Sequence, residues 1–260
     1  MKFVLFLTLV CALLPLSARE RLIYVARHCQ AAGKGKGVIR PVKGDAGITQ
    51  LGVQQSRNLG KRLKELNFKG KIYASPYYRT VATACFAAEE AGLKVYPDAR
   101  VQERCHADGG KMKTGGATLK ELRKLFPNQI APEAKLADDW LYKKDEPKNT
   151  PAHRIRMAKA LDELLAENPD GDIMIVSHAG AVGALGAEMR KRCGEKIKGS
   201  TWNCALYKYA VDDKGKFRFI GYDLTFLPAD MITANMHKID PKKNPKLQKV
   251  KSGVDYKYEL

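Results

Sequence analysis

Two different spacings of apolar residues alternate along this chain. Short unbroken apolar runs recur at 21–26 (RLIYVA), 71–74 (KIYA), 94–96 and 172–176 (DIMIV). Runs this short, rich in Ile, Val and Tyr, predict strands buried in a sheet. Between them the spacing becomes helical. Leu51, Leu59, Leu63 and Leu66 mark one face over 51–66, and the alanine-rich stretch 79–91 closes on Gly92, as a helix C-terminus does. Further helices are predicted at 119–125, 151–167 and 181–192. Stretches 203–211 and 216–222 alternate about Asp212-Asp213-Lys214-Gly215 and predict a hairpin. Strands alternating with helices define an α/β domain, a three-layer α/β/α arrangement around a mostly parallel central sheet.

Two stretches interrupt the alternation. Residues 33–47 hold five glycines and a proline and read as a loop. From about 104 to 150 the chain is irregular, yet it carries Leu119, Leu122, Leu125, Phe126, Trp140 and Tyr142. It is expected to lie over the sheet as an insertion. The lysine-rich tail 237–260 lacks periodicity and is expected to be mobile or draped on the surface.

The first residues change the picture of where the protein works. Lys2, an apolar run from Phe3 to Leu16 and the sequence Ser17-Ala18-Arg19-Glu20 fit a secretory signal peptide over 1–18. The run is too short to span a membrane comfortably, so no transmembrane segment is expected in the mature chain. The expected location is secreted or periplasmic, with a domain over 19–236 and the tail after it. Cys11 would leave with the signal. Cys29, Cys85, Cys105, Cys193 and Cys204 would remain, and an odd number leaves at least one thiol outside intrachain disulfides. No cysteine or histidine spacing suggests a metal site, and no cofactor is expected. The formal net charge of +18 attracts anions of every kind. The lysines are dispersed without interleaved aromatics, so no specific nucleic-acid partner is expected.

Candidate chemistry gathers at strand ends, where parallel α/β sheets bind ligands. The first strand ends in Arg27-His28, and the fourth in Ser177-His178-Ala179-Gly180 followed by a helix. Ser75-Pro76-Tyr77-Tyr78-Arg79-Thr80 follows the second strand, and Glu103 follows 99–101. The helix opening near Gly180 offers backbone N–H groups and a positive dipole end that suit phosphate.

These segments, in this order, resemble the histidine phosphatase superfamily, the phosphoglycerate-mutase-like fold. Arg27-His28 is similar to the motif ending its first strand. Leu51-Gly52-Val53-Gln54-Gln55-Ser56 with Leu59-Gly60 resembles its first helix, and Ser75-Pro76 through Arg79-Thr80, with Thr83-Ala84, its second arginine motif. Ser177-His178-Ala179-Gly180 resembles the second histidine motif, and Thr201-Trp202-Asn203-Cys204 the opening of a late strand. The resemblance implies a small phosphorylated substrate and a phosphohistidine on His28. It further implies Glu103 as general acid and Arg27, Arg79 and His178 as phosphate ligands. Cys29 stands where the family carries glycine, and a side chain there is expected to narrow the backbone's approach to phosphate. Cys29 and Cys105 each closely follow a site residue, which raises a disulfide or redox-sensitive pair at the pocket mouth, though two unrelated thiols is the favoured reading. Two other readings stand beside phosphomonoester hydrolysis: a phosphomutase of the same fold, and a protein that binds a phosphorylated ligand without turnover.

Overall fold

A computed structural model describes residues 19–32, 37–104, 117–137, 150–197, 200–235 and 237–238. The signal-peptide stretch, Cys105, Trp140, Tyr142 and the tail beyond Lys238 lie outside the described residues. The centre is a six-stranded sheet, formed by β1 (Arg21–Arg27), β5 (Lys71–Ala74), β6 (Val95–Pro97), β7 (Ile173–Ser177), β8 (Leu206–Val211) and β9 (Phe217–Asp223). Their order is β6-β5-β7-β1-β8-β9. The first four are mutually parallel, and β8 and β9 add an antiparallel hairpin beyond β1.

Helices α1 (Gln50–Glu65), α2 (Tyr78–Ala91), α3 (Leu119–Leu125), α4 (Thr150–Ala166) and α5 (Ala179–Cys193) complete the domain. The strand order dictates where four of them go. The chain steps from β1 through α1 to β5, then through α2 to β6, always in one direction across the sheet. It returns through α4 to β7 and continues through α5. Right-handed crossovers therefore put α1 and α2 on one face and α4 and α5 on the other. The pairing of α1 with α2, and of α4 with α5, agrees. Connections leave the neighbours β1 and β7 toward opposite faces, which opens a crevice at their ends.

Local signals set the helix boundaries. Thr49 Oγ1 accepts the Gly52 N–H at 3.0 Å to start α1, and Arg62 and Lys64 sit in its last turn, where cations suit the dipole. Gly92, at φ 69°, ends α2 in the left-handed conformation. The interior is apolar and continuous, with Ile23, Ile72, Ile173, Leu59, Leu63, Leu161 and Leu164 fully buried.

Two expectations need correction. The stretch 33–47, read as a loop, contributes to a small antiparallel sheet: it holds β3 (Val38–Ile39) and the first residue of β4 (Gly47–Thr49), which pairs with β3 and with β2 (Ala31–Ala32) just before it. Strands of two or three residues carry no alternation for a sequence to reveal. The described part of the insertion lies along the sheet's edge rather than over its face: Val95 N–H donates to Gln129 O at 2.9 Å, and Ala131 N–H to Val95 O at 3.0 Å. Phe126 anchors it by packing on Tyr78 and Phe86 of α2. At the C-terminal end, β10 (Thr233–Ala234) pairs with β11 (His237–Lys238), so the tail begins in a short ladder.

Candidate active site

The register of the parallel strands brings the predicted residues to one level. Arg27 lies opposite Ser177, and Ala74 lies opposite both Val176 and Pro97. The ladder then runs one residue further. His28 N–H donates to Ser177 O at 2.8 Å, Ser75 N–H to Val176 O at 3.0 Å and Asp98 N–H to Ala74 O at 2.8 Å. His28, His178, the segment leading to Arg79 and the segment leading to Glu103 thus leave the sheet side by side.

The two imidazoles meet edge to face, with ring centroids 5.3 Å apart. His28 Nδ1 lies 2.7 Å from Cys29 O. A carbonyl only accepts, so Nδ1 carries the proton and Nε2 keeps its lone pair. Burial pushes the His28 pKa well below the ordinary histidine value, and the Arg79 and Arg27 charges push it the same way. His28 is therefore a neutral base with a directed nitrogen. His178 is held similarly: Nε2 is 2.8 Å from Ser75 Oγ, Tyr77 packs edge-on at 5.3 Å, and Nδ1 is buried without a hydrogen-bond partner. Burial, then Arg79, His28 and Arg27, keep it from charging as well. It would serve an anion as a neutral N–H donor rather than as imidazolium.

Both guanidinium groups are oriented. Arg79 Nη1 is 2.7 Å from Asp45 Oδ1, and its guanidinium lies 4.9 Å over the Tyr77 ring. Asp45 also accepts the Tyr78 N–H at the start of α2. Arg27 is only 7% exposed. Its Nη1 donates to Thr201 O at 2.8 Å, its Nη2 donates to Asn235 Oδ1, and its Nε is buried without a partner. A buried guanidinium N–H without a partner is costly, and an anion in the crevice is the natural group to relieve it.

Glu103 sits where a single turn of 3-10 helix, Ala99–Val101, turns the chain back toward the crevice. Its Oε2 accepts the Gly180 N–H at 3.0 Å and its Oε1 the Arg104 N–H at 2.8 Å. The helix-terminal amide expected to bind phosphate is thus taken by this carboxylate. Gly180 leaves just enough room, because a Cβ there would overlap Oε1. Arg156 of α4 holds the approach by donating to Arg100 O at 2.7 Å, Gln102 O at 3.1 Å and Glu103 O at 3.3 Å.

All five residues picked from the sequence, Arg27, His28, Arg79, Glu103 and His178, come together at this end of the sheet, close enough for their charges to act on one another. Cys29 does not narrow it. Its thiol is fully buried, its Sγ faces Gln30 O at 3.7 Å, and a Cβ on Gly52 of α1 would come within 2.9 Å of the sulfur. Burial raises its pKa. Cys29, Cys85, Cys193 and Cys204 are free thiols, and the suggested partner Cys105 lies outside the described residues. Among the described residues, no cluster of three or more His, Cys, Asp and Glu side chains could hold a metal ion, and no helix is long and apolar enough to cross a membrane.

Sequence reasoning missed the supporting residues Asp45, Ser75, Tyr77, Thr201 and Asn235. Asp45 and Asn235 are isolated polar residues in irregular segments, with no periodic or motif signal. Ser75, Tyr77 and Thr201 stand inside segments already singled out, and only their neighbours distinguish them.

A parallel sheet whose adjacent strands end in paired histidines, flanked by two oriented arginines and a held carboxylate, defines a phosphate-handling α/β protein. The model of the histidine phosphatase superfamily (branch 1) matches residues 23–220, and the chain belongs to that superfamily. Solved structures share the fold. The ecdysone phosphate phosphatase from Bombix mori, in complex with tungstate, is 16% identical, with 86% of this chain and 99% of that one covered and a TM-score of 0.54. YhfR from Bacillus stearothermophilus is 18% identical, with 77% and 95% covered and a TM-score of 0.52. Mycobacterial hydrolase 2 is 19% identical, with 92% and 100% covered and a TM-score of 0.52. No curated protein sequence matches the chain.

Proposed function

We propose that this protein hydrolyses phosphomonoesters through a phosphohistidine on His28. The observation that carries the reading is the Nδ1···Cys29 O contact of 2.7 Å, which leaves Nε2 as the basic nitrogen beside two guanidinium groups. In the first step Nε2 attacks phosphorus and the P–O bond to the leaving group breaks. Glu103, in its protonated form, gives the departing oxygen its proton. In the second step water attacks phosphorus, the P–N bond breaks, and Glu103 takes the proton from the water. Arg27, Arg79 and His178 Nδ1–H hold the equatorial oxygens throughout. Because phosphoryl transfer passes through a loose transition state, such positioning and charge neutralisation supply most of the rate.

The test is turnover of an aryl phosphate by the wild type and by His28→Ala. It is paired with trapping of a phosphoenzyme that is labile in acid and stable in alkali. Loss of both in His28→Ala is the expected result. Full activity in that variant would exclude the mechanism, and transfer to a second substrate hydroxyl in preference to water would make the enzyme a mutase. Wild-type binding of phosphorylated ligands with no turnover would reduce the protein to a binder. The N-terminal pattern supports export as part of the same proposal. N-terminal sequencing of the exported protein is expected to begin at Arg19.

A further inference from the structure

Behind His28 lies a buried set of amide and hydroxyl groups closed off from solvent. The Gln30 N–H donates to Gln55 Oε1 at 2.8 Å. Gln55 Nε2 donates to Met231 O at 2.6 Å and to Thr233 Oγ1 at 3.0 Å. Thr233 Oγ1 donates to Asn203 Oδ1 at 3.0 Å, and Asn203 Nδ2 donates to His28 O at 2.9 Å and to Cys29 O at 3.0 Å. The direction of every bond follows from the backbone groups at the ends. Gln30 N–H can only donate, and the carbonyls of Met231, His28 and Cys29 can only accept, so neither side-chain amide can be turned over.

The chain of bonds returns to where it began. Gln30 N and Cys29 O are the two ends of one peptide unit, so Gln55, Thr233 and Asn203 close a ring through that unit. The same Cys29 carbonyl accepts the Nδ1 proton of His28. Rotation of this peptide by half a turn would present an N–H to Nδ1 in place of the carbonyl. The proton would then move to Nε2, and the lone pair needed at phosphorus would be lost. Gln55, Asn203 and Thr233 are each fully buried, so a broken link leaves partners without water to replace it. The backbone around the ring is itself unusual. Cys204, next to Asn203, lies in the left-handed region at φ 58°, and its N–H donates to Arg27 O at 3.1 Å.

We propose that Gln55, Thr233 and Asn203 are positioning residues that lock the Cys29–Gln30 peptide and thereby hold His28 in its Nδ1–H tautomer. The inference rests on His28 being the nucleophile. Its test reads the tautomer directly and therefore separates the two ideas. Nitrogen-15 spectra of histidine-labelled protein, with the His28 signals assigned by their loss in His28→Ala, are compared for wild type, Thr233→Val and Thr233→Ser. The wild type is expected to show a single Nδ1–H form. Thr233→Val removes the hydroxyl link and is expected to give a mixture of tautomers. It should lower kcat on an aryl phosphate about tenfold, the effect of roughly one net hydrogen bond on a barrier, with KM unchanged. Thr233→Ser keeps the hydroxyl and is expected to restore both readings. A wild-type tautomer and kcat in Thr233→Val would overturn the proposal, as would equal losses in the valine and serine variants. Should the valine variant fail to fold, Gln55→Met removes the acceptor of the Gln30 N–H and is judged by the same two readings. A wild type without turnover would defeat the phosphatase reading, while the tautomer comparison would still decide the ring.

Discussion

Gly180→Ala tests the acid role proposed for Glu103 without replacing that residue. The glycine lies in the first turn of α5 with an ordinary helical backbone, so alanine brings no conformational strain there and gains up to about 1 kcal/mol of helix propensity. The new Cβ would overlap Glu103 Oε1 and sit 3.1 Å from Cδ and 3.2 Å from Oε2. Ordinary non-bonded contacts lie near 3.5–4.0 Å, so the carboxylate must retreat by about 1 Å or swing away from the Gly180 amide. Since the displaced group is the end of a flexible side chain, the fold should tolerate the change. Misplacement on that scale costs on the order of 100-fold in a step that depends on the group. The dependence itself varies with the leaving group, because an alkoxide needs a proton to depart and a nitrophenolate does not. We therefore expect kcat/KM for alkyl phosphates to fall about 100-fold, while that for p-nitrophenyl phosphate changes by less than about threefold. The assay is a series of phosphomonoesters graded by leaving-group acidity, with thermal unfolding as a control. A uniform loss across the series, or none for the alkyl esters, would refute Glu103 as the proton donor.

Two other outcomes follow from the buried groups around His28. Burial and neighbouring charges depress the folded-state pKa of both His28 and His178, so below the unfolded value of about 6.5 the unfolded chain binds more protons and stability falls with pH. Urea unfolding at pH 7 and pH 5.5 should show a loss on the order of 2 kcal/mol from these two residues as pH falls, and a flat profile over that window would contradict neutral burial of the pair. Cys29→Gly, which installs the family's glycine, is expected to lower stability by about 1–3 kcal/mol through lost burial and added chain entropy, with turnover unchanged. A gain in turnover, measured beside Tm, would mean that the thiol does obstruct phosphate.

Periodicity carried most of the fold. The predicted stretch 119–125 coincides with α3 (Leu119–Leu125), and 51–66 differs from α1 (Gln50–Glu65) by a residue at each end. These elements announce themselves because burial of one face forces a repeat. The sheet of β2, β3 and β4 left no trace, since pairs of two or three residues are held by backbone bonds that any side chain permits. The same division holds in the site. His28, His178 and Arg79 follow strand ends that apolar runs reveal. Asp45, Asn235 and Thr233 act through contacts spanning 30 to 208 residues, and a single polar residue in a loop does not say which distant partner it meets.

Helix α1 contains two glycines that matter for different reasons. At Gly52 a Cβ would overlap Gln30 O, and at Gly60 it would overlap Ala87 O and come within 2.8 Å of the Ala87 Cα. One rod therefore touches the loop that follows the His28 imidazole near its start and is wedged against the backbone of α2 about 12 Å further along. The helix that delivers Arg79 is welded to the one that braces Cys29 and Gln30, so nitrogen and guanidinium travel as a single block. On the opposite side of the sheet's end, among the described residues, the Glu103 carboxylate is held by the Gly180 and Arg104 amides, at the end of a flexible side chain that nothing comparable welds in place.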